Sequence, residues 1–261
     1  MNISDSNRHD ALWVLALAPP LAVRLYADGP ETAGQRLVLL AVALALAYGW
    51  ALLFARRAGR PLGPGLPAFA IGFVVMLPGP VGWGAAIVAL SFGAVFGREI
   101  FGGRPVLPPA LIGLSFALFS FPEGSFESLD VFGLSPDPLF AATCLAGAVV
   151  LTLRGELAWQ VAVGAAAGLA AAGVLLGEPE WWTHFGIGAV AAGVLFLAAS
   201  PEGAARGTAA RLLHGALVGA LVLVIRLADP DQPDGIVFAA LLGGLFAPLL
   251  DRALAWRPGH G

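Results

Sequence analysis

From residue 11 to residue 256 the chain returns repeatedly to apolar runs, and the breaks between them are too short to hold a water-soluble domain. That pattern decides the solvent. A helix with one apolar stripe can face water, but a chain made of helices apolar all round needs lipid. Hydrophobic residues are 58% of the 261 and charged residues 12%, with a mean hydropathy of +0.84. Soluble domains carry about twice that charge density. The predicted class is an all-α integral membrane protein, one polytopic domain over residues 1–261, and not a soluble enzyme.

Ten apolar segments are predicted, at 11–27, 37–55, 68–77, 81–97, 110–121, 139–153, 157–176, 185–199, 212–227 and 236–250. Crossing the hydrocarbon takes about 20 helical residues. The third segment has only ten and stops at Pro78-Gly79-Pro80, and the eighth is also short and stops at Ser200-Pro201. Each is third in its set of five. This placement predicts a 5+5 inverted repeat of transmembrane or half-membrane helices, with halves at about 11–122 and 138–256. Broken helices at matching positions of two halves mark the binding site in such folds; the bland reading is that Gly and Pro merely kink ordinary spans.

Arginine placement supports the count. The chain has no lysine, so all 14 basic residues are arginine, a bias expected of a GC-rich bacterial genome. If every segment crosses, eleven arginines share the side of the N-terminus, and Arg24, Arg36 and Arg226 remain on the other. The positive-inside rule then predicts both termini in the cytoplasm and residence in a bacterial inner membrane. The first ten residues are too short and acidic for a signal peptide, so the first apolar run is expected to be a retained anchor. A net charge of −3 points to no polyanionic partner such as nucleic acid.

Few residues offer chemistry. Cys144 is alone, which excludes a disulfide framework, a Cys-based zinc site and an iron–sulfur cluster held by this chain. No P-loop, dinucleotide fingerprint or soluble catalytic constellation is present, so no catalytic residue is assigned. Arg98 and Glu99 close the fourth segment, where they can pair with other helices or with headgroups. Gly102-Gly103 permits a tight turn, and an ordinary helix terminus accounts for the same residues. Pro108-Pro109 is suited to start the fifth helix, whose free N–H groups could meet an anionic group. Arg226 contradicts the acidic character of its side, so a partner is expected, Asp229 or Asp231 being nearest. His184, beside Trp181-Trp182, and His214, inside the ninth segment, read better as interfacial and packed histidines than as metal ligands, and no metal site is assigned. Gly164 and Gly168 permit close helix packing.

The stretch Phe96-Gly97-Arg98-Glu99-Ile100-Phe101-Gly102-Gly103, with Pro109-Ala110-Leu111 after it, resembles the NqrB/RnfD family. So do Ala199-Ser200-Pro201, Val224-Ile225-Arg226, Pro233-Asp234-Gly235 and Phe246-Ala247-Pro248-Leu249-Leu250-Asp251. These families are membrane subunits of the sodium-pumping NADH:quinone reductase and of the Rnf electron-transport complex. The resemblance implies a ten-helix inverted repeat, other Rnf- or Nqr-type membrane and flavoprotein subunits as partners beside the lipid bilayer, and flavins. One flavin, an FMN, is expected through phosphate on a threonine after the fifth helix, and a second is held non-covalently.

This sequence departs from that pattern where the chemistry sits. Asp137 occupies the threonine's place, and a carboxylate is no phosphoester acceptor; Ser135 is the nearest hydroxyl. The asparagines usual after Gly-Gly are missing from Arg104–Pro109, and Ser200 stands where an aspartate is common. The expectation is therefore an RnfD/NqrB-like membrane subunit of an ion-coupled electron-transport complex without covalent FMN, at most one subunit of a redox-driven enzyme. A non-covalent riboflavin or FMN is expected near Arg98, Phe101, Gly102, Gly103, Ser135 and Arg226. The alternative is a small-molecule permease or channel on the same inverted-repeat scaffold.

Overall fold

The computed structural model describes residues 3–77, 82–121, 137–186, 188–228 and 235–255, and every regular element among them is helical. The long helix α1 (Ile3–Ala58) is two arms that meet at Gly29, whose φ of 75° and ψ of 170° interrupt the helix. Gly accepts that conformation, and Pro30 disfavours helical geometry in the residue before it. The first two apolar segments are thus joined through a one-residue break, where the sequence pattern predicts a connection of nine residues. Each arm has more than the 20 or so residues needed to span.

The short helix α2 (Leu66–Met76) follows, then α3 (Trp83–Gly97), a 3₁₀ turn Glu99–Phe101, and α4 (Pro109–Ser120). The second half begins with α5 (Pro138–Leu153) and α6 (Trp159–Leu176), then a 3₁₀ turn Trp181–Gly186. The next segment is neither a full span nor a plain half-helix. Five α-helical residues, α7 (Gly188–Ala192), run into a π-helical stretch, Gly193–Ala198, with the Ala199 N–H reaching the Val194 carbonyl at 2.9 Å. Helices α8 (Thr208–Ala228) and α9 (Gly235–Ala255) complete the described chain. Among the described residues five helical segments are long and apolar enough to cross a membrane, α1, α3 together with the turn that follows it (Trp83–Phe101), α6, α8 and α9, and α2, α4, α5 and the Gly188–Ala198 segment are shorter apolar helices. The chain is a multi-pass membrane protein.

Lipid offers no hydrophobic drive between helices, so close backbone approach has to supply the attraction. Glycines permit it. Gly164 and Gly168 of α6 lie against the Leu212 and Ala216 backbones of α8, while Gly215 and Gly219 of α8 lie against Val161 and Ala165 of α6. A Cβ at any of the four would stand about 2 Å from a backbone carbonyl oxygen. The packing read from Gly164 and Gly168 is present, with a matching glycine pair on the partner helix. Gly147 brings α5 against Ala16 of α1 in the same way, and Gly93 and Gly97 bring α3 against Pro109 of α4.

Side-chain contacts tie one face of the bundle together. His9 bonds Glu156 at 2.8 Å, the Asp10 carboxylate accepts from the Gly65 N–H at 2.6 Å, and Arg98 donates to the Pro64 carbonyl at 3.0 Å. Asp251 accepts from the Arg206 and Gly207 N–H groups at the start of α8. On either side of the Gly29 break in α1, Arg24 and Arg36 reach the same carbonyl, so the two arms run back on each other from Gly29.

Candidate functional site

Three constellations of buried polar groups stand out, and α2 connects two of them. The first surrounds its C-terminal end. The last carbonyls of a helix have no intrahelical partners, and here α2 stops short inside a membrane bundle. Arg36, 5% exposed, donates to the Val74 carbonyl at 2.8 Å and to the Leu77 carbonyl at 3.3 Å, and Arg24, 3% exposed, donates to Leu77 at 3.3 Å. Arg36 is also paired with Asp28. Two cations at the negative end of the helix dipole are electrostatically well placed. The charge bias along the sequence puts both arginines on the minority side together with Arg226. All three break that bias, and each such charge needs a partner.

The second constellation is the turn after α3. Glu99, 3% exposed, pairs with Arg60 and accepts from Arg98 at 3.2 Å. Arg98, 2% exposed, spans from Glu99 to the Pro64 carbonyl. Gly102 and Gly103 both adopt positive φ, 73° and 77°, and a Cβ on Gly103 would lie 2.0 Å from the Arg60 guanidinium. The glycine pair makes the turn, and its second member makes room for Arg60. The tight turn and the helix-end ion pairing read from sequence are both present.

The third is a cavity where broken elements converge. It is lined by Gly65, Ala68 and Gly72 of the start of α2, by Pro108, Pro109 and Ala110 at the start of α4, by Phe196 and Leu197 of the π-helical stretch, and by Trp13, Ser200 and Glu202. It admits water-sized spheres over about 40 Å³. Neither α2 nor α4 has a side-chain cap at its N-terminus. The Trp13 indole, 4% exposed, has no acceptor for its N–H among the described residues. The Ser200 hydroxyl donates to the Glu202 carboxylate. The sequence pattern marks Ser200 but assigns nothing to Trp13 or Glu202. A larger groove of about 210 Å³ between α5, α6, α8 and the Gly188–Ala198 segment has only Ala, Val, Leu and Gly walls, so it offers no side-chain hydrogen bond.

The described members of the predicted cofactor set lie on two elements, the turn after α3 and helix α8. Arg98, Phe101, Gly102 and Gly103 share one turn, where the Arg98 guanidinium is engaged by Glu99 and Pro64 and Phe101 is half exposed. Arg226 lies near the far end of α8, 18 residues past its start, or about 27 Å along the helix axis. Ser135 lies outside the described residues, as do Asp229 and Asp231, the predicted partners of Arg226. Asp137 caps α5: its carboxylate accepts from the Phe140 N–H at 2.9 Å, and its own N–H donates to the Gly186 carbonyl at 2.9 Å.

The histidines lie apart. His214 is fully buried in α8, its Nδ1 accepting from the Ala205 N–H at 3.4 Å. His184 sits in the 3₁₀ turn outside the spans, and burial, with the Arg226 charge second, holds its imidazole below the usual range while Glu178 opposes the shift. Among the described residues no three His, Cys, Asp or Glu side chains are grouped to hold a metal.

Comparison with known proteins gives these features a family. Curated relatives include the B component of the Na(+)-translocating NADH-quinone reductase of Chromohalobacter salexigens, 27% identical over 81% of this chain and 63% of its own length. The same component from Pseudomonas aeruginosa is 28% identical over 78% of this chain and 62% of its own. That of Ectopseudomonas mendocina is 27% identical over 92% and 73%. The chain thus spans less than two thirds of the length of the first two. The model of the NQR2, RnfD, RnfE family matches residues 3–132 and 126–258. With matches running through both halves of its helical bundle, the chain belongs to the NQR2, RnfD, RnfE family.

Proposed function

We propose that this chain is an NqrB/RnfD-like membrane subunit of an ion-coupled electron-transport complex, working beside other Nqr- or Rnf-type subunits in a bacterial inner membrane. The observation that carries the reading is the family match over both stretches, 3–132 and 126–258. The arginine bias supports an orientation with both termini in the cytoplasm. The short α2 and the broken Gly188–Ala198 segment, third in their halves, support a 5+5 inverted repeat with halves at about 11–122 and 138–256.

The cofactor reading is narrower than the family's. Asp137 stands where a flavin-linking threonine is expected, and its carboxylate caps a helix, so the chain carries no covalent FMN on that position. At the Glu99–Phe101 turn, the exposed Phe101 ring and the Gly102 backbone are the groups open to a non-covalent flavin, since Arg98 is already paired. No electron-transfer step is assigned to these residues.

The test is purification from the native membrane in mild detergent, with mass spectrometry of the co-purifying chains and a flavin spectrum before and after acid precipitation. Nqr- or Rnf-type subunits should accompany the chain, and any flavin should leave with the supernatant. A chain isolated repeatedly without redox partners overturns the assignment, and flavin retained in its acid pellet overturns the reading of Asp137.

A further inference from the structure

Among the described residues seven arginines are exposed, and all seven collect at the end of the bundle where α1 begins. Elements from the whole chain bring them there. The two arms of α1 run back on each other from Gly29, so Arg8, near its start, shares that end with Arg56 and Arg57 in its last turn. His9 meets Glu156 just past α5, which places Arg154 at the same end, and the Arg60–Glu99 pair places Arg104 there through the turn that follows. The Ala158 N–H donates to the Ala199 carbonyl at 2.9 Å, which joins the start of α6 to the loop holding Arg206. Asp251, beside Arg252, then reaches the Arg206 N–H.

The carboxylates of that end are engaged with other groups. Asp10 takes the Gly65 N–H, Glu99 pairs with Arg60 and Arg98, and Glu156 bonds His9. Glu202 accepts from the Ser200 hydroxyl, and Asp251 from the Arg206 and Gly207 N–H groups. Among the described residues Asp5 is the exposed carboxylate that remains there, and none of the seven arginines has an ion pair. Helix dipoles account for part of the set, since Arg56, Arg57 and Arg252 stand in last turns and Arg154 is the C-cap residue of α5. Arg8, Arg104 and Arg206 stand at no helix C-terminus. At the far end the charges reverse: Glu31 and Glu180 are exposed, while Arg24, Arg36 and Arg226 are buried.

The neighbours of these arginines decide what meets them. Leu53 lies a turn before Arg56 and Arg57, Val106 follows Arg104, Leu153 and Trp159 flank Arg154, and Leu254 follows Arg252, all of them exposed. Guanidinium groups interleaved with exposed apolar side chains suit the boundary of a bilayer, where the apolar parts enter hydrocarbon and the charged heads reach the headgroup layer. The planar guanidinium fork fits the oxygens of a phosphodiester, and clusters of about 4–8 basic residues beside membrane spans attract anionic lipid. We infer that this end of the bundle is a binding surface for anionic phospholipids, whose headgroup phosphates supply the counter-charge that the engaged carboxylates do not. The surface is independent of the redox reading.

Native mass spectrometry of the full chain tests this, with release from micelles that hold equal amounts of phosphatidylglycerol and phosphatidylcholine of the same acyl chains. Retained lipid should favour phosphatidylglycerol several-fold, and the preference should narrow as ionic strength rises, because exposed charges are screened. Combining Arg56→Gln, Arg57→Gln, Arg104→Gln, Arg154→Gln and Arg252→Gln should bring the ratio close to one, whereas Glu31→Gln at the far end should leave it unchanged. Equal retention of the two lipids by the unaltered chain overturns the inference, and so does a preference that salt does not narrow or that survives the five replacements. Arginines shielded from phenylglyoxal in the complex isolated from the native membrane, together with no lipid preference, would make the surface a protein interface and also overturn it. The lipid ratio and its salt dependence are read on the unaltered chain, so a poorly folding variant leaves the test intact.

Discussion

The two ends of α2 solve one problem in opposite ways. A helix that begins and ends within a bundle leaves several amides and several carbonyls without partners, and lipid cannot supply them. At the Leu77 end the chain brings in Arg24 and Arg36, with Asp28 balancing one of the charges. At the Gly65 end it supplies Asp10 for one N–H, and the first turn borders a small cavity with Glu202 on its wall. One end is closed by the protein's own charges and the other opens on a space. The closed end is built for rigidity, whereas the open end leaves hydrogen-bonding capacity for something small.

The contrast is broken most directly at the closed end. Arg36→Leu strips the Val74 and Leu77 carbonyls of a donor and leaves Asp28 buried without this arginine; removing one partner of a buried pair costs about 3–5 kcal/mol. The variant should show a sharply lowered unfolding temperature in detergent and a poor yield of folded protein, and unchanged melting would show that the end is not held this way. Glu99→Gln comes next, because it keeps the shape of the side chain but removes the charge shared by Arg60 and Arg98. Weakening a hydrogen bond to a charged group costs about 1.5–3 kcal/mol. Limited proteolysis should then cut residues 59–65 faster, while the Arg24–Arg36 end stays protected.

The smallest effect concerns His184, whose imidazole is held below the usual range by burial first and by the Arg226 charge second. Its native pKa lies below the unfolded value, so the unfolded chain binds more protons as pH falls through about 6.5. The contribution of His184 to stability is therefore greatest above that value and declines as pH falls through the window between the unfolded and the lowered native pKa. Melting curves between about pH 7.5 and 5.5 should show a shallower decline in His184→Gln than in the unaltered chain; identical slopes would remove the predicted contribution of His184.

Much of this fold is legible in a single reading of the chain because membrane insertion depends on local composition. The apolar runs, the short third segment ending near Pro78 and the Pro108-Pro109 helix start are local properties, and the helices fall close to where they predict. Gly164 and Gly168 also announce close packing, since little else makes a glycine pair useful on an apolar helix. The break at Gly29 is less legible: Asp28, Gly29, Pro30 and Glu31 read as a loop, yet helix continues on both sides of one residue. The π-helical stretch is hidden as well. Gly193 sits against Ile236, and a Cβ there would come within 2.2 Å of that side chain, so its use depends on a neighbour distant in sequence.

The candidate site divides the same way. Arg98, Glu99, Gly102 and Gly103 are contiguous, and their ion pairing and tight turn follow from a helix end with glycines after it. Trp13 is separated from Ser200 and Glu202 by most of the chain, and nothing local marks Trp13 as more than an aromatic in an apolar run. The sequence alone determined the solvent and the helical class, because each is set by transfer free energies summed over short stretches. Only the tertiary structure decided which buried polar groups meet. A hydrogen bond or ion pair forms within a few ångströms, and residues as distant as Asp10 and Gly65, or Trp13 and Glu202, are brought together by the packing of whole helices.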